Sequence, residues 1–132
     1  MKNLLLDTNA YVRLLSGDER VLAALGDAEI VHLSAIVMGE LFSGFRGGTR
    51  YQENKSQLAL FLSKPTVQEL HVTAETAEIF GQIKDELKKA GNPIPLNDVW
   101  IASHAIETGS VVVSFDEHFR KVPGLRLWDV LE

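Results

Sequence analysis

Cysteine is missing from the 132-residue chain and proline is scarce, with four. The first absence excludes a disulfide framework, a thiolate-held zinc ion and a thiol nucleophile, and it agrees with a reducing compartment better than with a secretory route. Long apolar runs are missing as well. Leu4, Leu5 and Leu6 are cut short by Asp7, whereas a signal-peptide core needs about 7 to 15 apolar residues and a membrane span ~18. A soluble, cytoplasmic protein is expected. Basic charge is in deficit, with 13 Lys and Arg against 18 Asp and Glu and a formal net charge of -5. This balance excludes binding to nucleic acid by bulk charge but leaves a metal-mediated site open, since bound cations reverse the local sign. With no repeat, low-complexity tract or linker, the chain reads as one domain, residues 1–132.

What is present is an alternation of strand and helix patterns. Asn3 to Leu6 reads as a strand buried on both faces, followed by helical sequence from Thr8 to Leu15. A short helix at about 18–25 leads to a second strand, Ile30 to Leu33, and Ser34 is placed to cap a helix reaching about Phe45. A helix from about Thr49 to Leu62, a strand from Thr66 to Leu70 and a long helix capped by Thr73 follow. Asn97 is expected to cap a helix from Asp98 to about Glu107, before the apolar strand Val111 to Val113. Arg126 to Trp128 suggests a final edge strand. Alternating strands and helices with right-handed crossovers define the fold class, an α/β protein with a mainly parallel central sheet in three α/β/α layers.

Sites in such sheets form beyond the carboxyl ends of the strands. Asp7 ends the first strand, and Asp116 lies three residues past Val113, on the same edge. Winding the helix from Asp98 at about 100° per residue puts Asp98 among Ile101, Ala102, Ala105 and Ile106, and the same operation from Ser34 puts Glu40 between Ile36 and Val37. A carboxylate on an apolar face costs several kcal/mol unless it meets a cation, either a basic side chain or a metal. Oxygen donors without Cys or spaced His pairs favour Mg²⁺ or Mn²⁺ over zinc. His32, His71, His104 and His118 show no ligand spacing, although His118 stands two residues from Asp116.

The segments Leu-Leu-Leu-Asp7-Thr8-Asn9, Glu40 in the helix after the second strand, Asn97-Asp98-Val99-Trp100-Ile101-Ala102 and Val-Val-Val-Ser114-Phe115-Asp116-Glu117-His118-Phe119 resemble the PIN-domain ribonucleases, particularly the VapC toxins of toxin-antitoxin pairs. The likeness spans essentially the whole chain, with four motifs in order. It implies that Asp7, Glu40, Asp98 and Asp116 form an acidic quartet holding one or two Mg²⁺ or Mn²⁺ ions, supported by Thr8, Asn9 and Ser114. It also implies hydrolysis of RNA, commonly transfer or ribosomal RNA, to 5′-phosphate and 3′-hydroxyl ends, a homodimer, and a VapB-like antitoxin covering the cleft.

Other residues carry further expectations. Arg46 and Arg50, with Lys55, concentrate positive charge after the Glu40 helix and are candidates for RNA contact. Gly39, inside that helix, suggests either close backbone packing or local flexibility. Phe115 is expected to pack inward, with base stacking as the alternative, and Trp100 to contact a dimer partner, an antitoxin or another helix of the chain. Two other readings stay open, a catalytically silent PIN-domain adaptor for RNA or protein and a metal-dependent phosphatase-like domain. The second would want an Asp where Asn9 stands.

Overall fold

The computed structural model describes residues 3–131, so the expected span 1–132 has its outermost residues outside the described part. Along the chain come β1 (Asn3–Leu6), α1 (Thr8–Leu15), α2 (Glu19–Gly26), β2 (Ile30–Ser34), α3 (Ala35–Arg46), α4 (Tyr51–Leu62), β3 (Val67–Leu70), α5 (Ala74–Ala90), α6 (Leu96–Thr108), β4 (Val111–Val113) and a 3₁₀ turn, Glu117–Lys121. The strands form one parallel sheet in the order β3-β2-β1-β4, and with the helices it makes the three-layer α/β/α architecture. Because every strand runs the same way, all their carboxyl ends share one rim.

The central strand explains the apolar run at the start of the chain. Leu4, Leu5 and Leu6 are fully buried between β2 and β4, and burial of each side chain contributes about 1.5 to 3 kcal/mol. Helix starts follow their caps. Asp18 accepts from the Arg20 and Val21 N–H groups at 3.0 and 3.3 Å, Ser34 accepts from Ile36 N–H at 3.0 Å, and Thr73 forms a capping box with Thr76. The helix α6 ends at Gly109, whose φ of 66° is a left-handed conformation that favours glycine.

Two expectations are corrected here. α6 begins at Leu96 behind Pro95 and has no side-chain cap, so Asn97 lies inside the first turn, where its amide is free for another contact. Arg126 to Trp128 makes only an isolated bridge, Val112 to Leu127, held by two bonds, Val112 N–H to the Arg126 carbonyl at 2.9 Å and Trp128 N–H to the Val112 carbonyl at 3.1 Å. The polar side of α6 is also buried. Ser103 and His104 are fully enclosed while Ile106 is exposed, because α6 packs against α5 as well as the sheet. Trp100, on the same side, stacks on Phe80 of α5 with ring centroids 3.8 Å apart, so a helix of the same chain covers it.

Candidate active site

Parallel register assembles the first part of the site. Leu6 pairs with Val113, so the next residues on each strand, Asp7 and Ser114, emerge side by side at the rim. Asp7 caps α1 through Oδ1, which accepts from Ala10 N–H at 2.8 Å, and Oδ2 accepts from the Ser114 hydroxyl. The Ser114 oxygen in turn accepts from Asp116 N–H at 2.9 Å. One hydroxyl therefore links the carboxylate of Asp7 to the backbone that presents Asp116. Trp128 anchors this loop by donating its indole N–H to the Ser114 carbonyl at 2.6 Å.

Asp98 and Asp116 meet at His118. The imidazole Nδ1 lies 3.2 Å from Asp98 Oδ2 and 3.0 Å from Asp116 Oδ1, while Asp116 Oδ1 also accepts the backbone N–H of His118 at 2.9 Å. Ligand atoms of these three residues all lie within 4.8 Å of one another, a spacing that can hold a metal ion. Glu40 is fixed from two sides. Thr8 donates its hydroxyl to Oε1 at 2.6 Å, and Asn97 donates its amide to Oε2 at 3.4 Å. The residue after Asp7 and the residue before Asp98 thus both hold Glu40, which ties α3 to α1 and α6.

The electrostatics are those of crowded acids. Burial pushes the Asp7 carboxyl from its ordinary 3.8 up to about 6, with Asp116 and Asp98 adding to the rise and the Ser114 and Ala10 hydrogen bonds opposing it. Asp98 is raised too, first by burial, then by Asp116, with a smaller push from Glu40 and an opposing pull from His118. Both acids resist ionisation unless a cation joins them. The donor set consists of carboxylates plus one imidazole, which suits a hard divalent ion better than zinc or copper.

Of the expected supporting residues, Thr8 touches Glu40 and Ser114 touches Asp7, whereas Asn9 is exposed and its side chain makes no hydrogen bond to the cluster. Arg50 forms a 2.8 Å pair with Glu53, and Arg46 stacks on Tyr51 at 4.5 Å. Phe115 packs inward, edge to face on Trp128 with centroids 5.2 Å apart. Gly39 is exposed and a Cβ there would meet nothing within 4 Å, which removes close packing as its reason. Asn97 partners Glu40 and caps nothing, a difference that its local sequence does not reveal. His118 was signalled only by its distance of two residues from Asp116.

The chain is similar to known proteins over most of its length. The PIN domain family matches residues 4–125, and the chain belongs to that family. It is 31% identical to ribonuclease VapC2 of Rickettsia felis, over 95% of this chain and 97% of the relative. It is 33% identical to the tRNA(fMet)-specific endonuclease VapC of Salmonella typhimurium, over 74% and 73%. Among solved structures, VapBC2 from Rickettsia felis bound to a DNA fragment from its promoter superposes with a TM-score of 0.84 at 28% identity, covering 96% of this chain and 99% of that one.

Proposed function

We propose that this protein is a divalent-metal-dependent endoribonuclease, a single domain acting in the cytoplasm as the toxin of a VapBC-type pair and cutting RNA to 5′-phosphate and 3′-hydroxyl ends. The observation that carries the reading is the convergence of Asp7, Asp98 and Asp116, with Asp7 driven up to about 6 by burial and by its acidic neighbours. Acids perturbed and gathered in this way are characteristic of functional sites. The ribonuclease names of the VapC relatives support the reaction, and the Salmonella relative supports transfer RNA as a substrate, with ribosomal RNA the other candidate.

Asp7, Asp98 and Asp116 would hold Mg²⁺ or Mn²⁺, one ion or two, with His118 orienting the last two carboxylates. When bound, such an ion supplies a Lewis acid and acidifies water toward neutral pH. Glu40 is built for positioning, because Thr8 and Asn97 occupy one lone pair on each of its oxygens and leave the others to orient an incoming water or a second ion. Ser114 keeps Asp7 aimed at the cluster.

The antitoxin partner is supported by the VapBC complexes among similar structures. An apolar cleft of about 480 Å³ between α1, α2 and α4, lined by Leu14, Leu15, Leu22, Leu25 and Leu60, suits an amphipathic segment of a VapB-like protein. A homodimer completes the reading. The catalytically silent adaptor is disfavoured by the complete set of four acids, and the phosphatase-like reading by Asn9, which stands where that site wants an Asp.

The test incubates wild type, Asp7→Asn and Asp98→Asn with RNA in Mg²⁺ or Mn²⁺ and again with EDTA. Cleavage by wild type alone, abolished by EDTA, is expected. Equal cleavage by all three proteins, or indifference to the chelator, overturns the assignment. Growth arrest on expression, relieved by a small neighbouring reading frame, separates a toxin from a housekeeping nuclease.

A further inference from the structure

We infer that Arg13 and Arg20, held against Phe115 at the edge of the acid cluster, form a phosphate-binding subsite for a single RNA strand passing through the active site. The inference rests on the nuclease reading and adds where the strand runs. Arg13 lies in α1, the helix capped by Asp7, and its guanidinium stands 3.9 Å from the centre of the Phe115 ring. Arg20 approaches the same ring from α2 at 5.0 Å. Phe115 lies between Ser114, which holds Asp7, and Asp116, so the ring on which both guanidiniums rest belongs to the loop that carries the acids.

The platform is rigid from below. Phe115 packs its ring against Trp128, and Trp128 is pinned to the Ser114 carbonyl. Guanidinium groups stacked on such a ring lose less freedom when they bind, and their planar fork matches a phosphate. Asp18 lies between them, 3.5 Å from Arg13 and 3.8 Å from Arg20, so two positive charges share one negative charge and one remains in excess. The exposure of the side chains gives that excess a direction. Asp18 is 17% exposed, whereas Arg13 is 48% and Arg20 58% exposed, so the carboxylate is tucked beneath and the cations face solvent.

A phosphodiester beside four acids needs nearby cations for its flanking phosphates, and the other candidates are less available. Arg50, 2.8 Å from Glu53, and Arg120, 3.7 Å from Glu117, each have a carboxylate of their own, and Arg126 donates to the Gly109 carbonyl at 3.0 Å, whereas Arg13 and Arg20 share Asp18. Arginine also offers a flat face on which an unpaired base stacks, so the same pair favours a single strand over a duplex.

The experiment measures binding of a fluorescein-labelled oligouridylate of about 12 nucleotides to the Asp7→Asn protein across a range of salt, alone and with R13Q/R20Q, R13K/R20K or Asp18→Asn added. The Gln pair is expected to bind roughly tenfold more weakly at low salt, with the slope of log K against log salt reduced by about 1.4, the value for two lost contacts to a single strand. The Lys pair should retain the slope, because the charge remains. Asp18→Asn, which keeps a capping side chain, should bind more tightly by freeing both guanidiniums. Unchanged affinity and slope in the Gln pair, equal losses in the Gln and Lys pairs, or no gain in Asp18→Asn each overturn the subsite. If the Gln pair does not fold, the other two variants decide: a reduced slope in the Lys pair, or no gain in Asp18→Asn, overturns the subsite. If the protein without these substitutions cleaves RNA while they leave binding unchanged, the subsite falls and the nuclease stands; if it does not cleave but the slope changes as described, the nuclease falls and the RNA subsite stands.

Discussion

The Ser114 hydroxyl donates to Oδ2 of Asp7 between residues 107 apart in the chain, at the point where β1 and β4 end side by side. That bond stabilises the ionised carboxylate, and burial works against it with the larger effect, leaving Asp7 at about 6. The folded protein therefore holds the Asp7 proton more tightly than the unfolded chain does. The stabilisation this gives is full below the ordinary 3.8 and is lost as pH rises through about 6. A displacement of about 2 pH units corresponds to at most ~3 kcal/mol.

Asp7→Asn should therefore stabilise the metal-free protein at neutral pH. The amide oxygen can still cap α1, and no buried charge remains. Thermal melts in EDTA at pH 7.5 should show a higher Tm for the variant, and the difference should vanish below about pH 4. Added Mg²⁺ should raise the Tm of wild type and leave that of the variant nearly unchanged, since only a ligand that binds the folded state stabilises it. A lower Tm for Asp7→Asn in EDTA at pH 7.5 would contradict the account of Asp7 as a strained, ionised site.

Ser114→Ala should move the acid side of the activity profile to higher pH. Without the hydroxyl, Asp7 loses its largest opposing hydrogen bond and should take up a proton more readily. Metal-dependent cleavage measured against pH is expected to reach half its plateau at a more alkaline value than in wild type, with the plateau itself reduced because the Asp116 backbone also loses its partner. An unshifted profile would assign Ser114 to folding of the loop alone.

The strand run Leu4 to Leu6 and the apolar Val111 to Val113 are legible because a strand buried on both faces must be apolar throughout, and Asp7 and Asp116 follow from where such strands end. Glu40 and Asp98 are legible because a carboxylate on an apolar helical face calls for a polar partner, found in Thr8 and Asn97 for Glu40 and in His118 for Asp98. Asn97 is not legible as a Glu40 partner, since a capping residue and an amide reaching across to another helix have the same local sequence. His104 and Ser103 look solvent-facing by periodicity for a related reason. Helical winding reports one buried face, and α6 has two, one toward the sheet and one toward α5. Arg13 and Arg20 meet locally at Asp18, but the Phe115 ring beneath them comes about a hundred residues later in the chain and is not legible from that stretch.

Thr8→Val should reduce cleavage far more than stability. The hydroxyl is the closer of the two donors to Glu40, and valine keeps the shape while removing the 2.6 Å bond. Loss of one such bond to a partly exposed carboxylate costs about 1 kcal/mol of stability, whereas misplacing a positioning group beside a metal should lower kcat/KM by roughly tenfold or more. Thr8→Ser should restore most of the activity. Equal activity in Thr8→Val and wild type would show that Asn97 alone is enough to hold Glu40.

His104 makes stability fall in acid, opposite in sign to Asp7. Its Nε2 lies 3.1 Å from the His71 carbonyl, which can only accept, so Nε2 carries the hydrogen and Nδ1 accepts from the Ser34 hydroxyl at 2.9 Å. Ser34 uses its remaining capacity to accept Ile36 N–H and so caps the helix that carries Glu40. A second proton on His104 would leave the Ser34 hydroxyl with donors on both sides. Burial accordingly lowers the affinity of His104 for that proton, against smaller opposing pulls from the His71 carbonyl and Glu107, and burial lowers His32 beside it as well. The unfolded chain takes up these protons near the ordinary 6.5 and the folded protein only at lower pH, so stability is complete above about 6.5 and declines as pH falls below it. In the Asp7→Asn background, where the Asp7 proton no longer contributes, urea midpoints should drop between pH 7 and pH 5. His104→Gln should be less stable at pH 7 by about 1 to 2 kcal/mol and should show a shallower drop. A drop of the same depth in His104→Gln would place the acid sensitivity elsewhere in the fold.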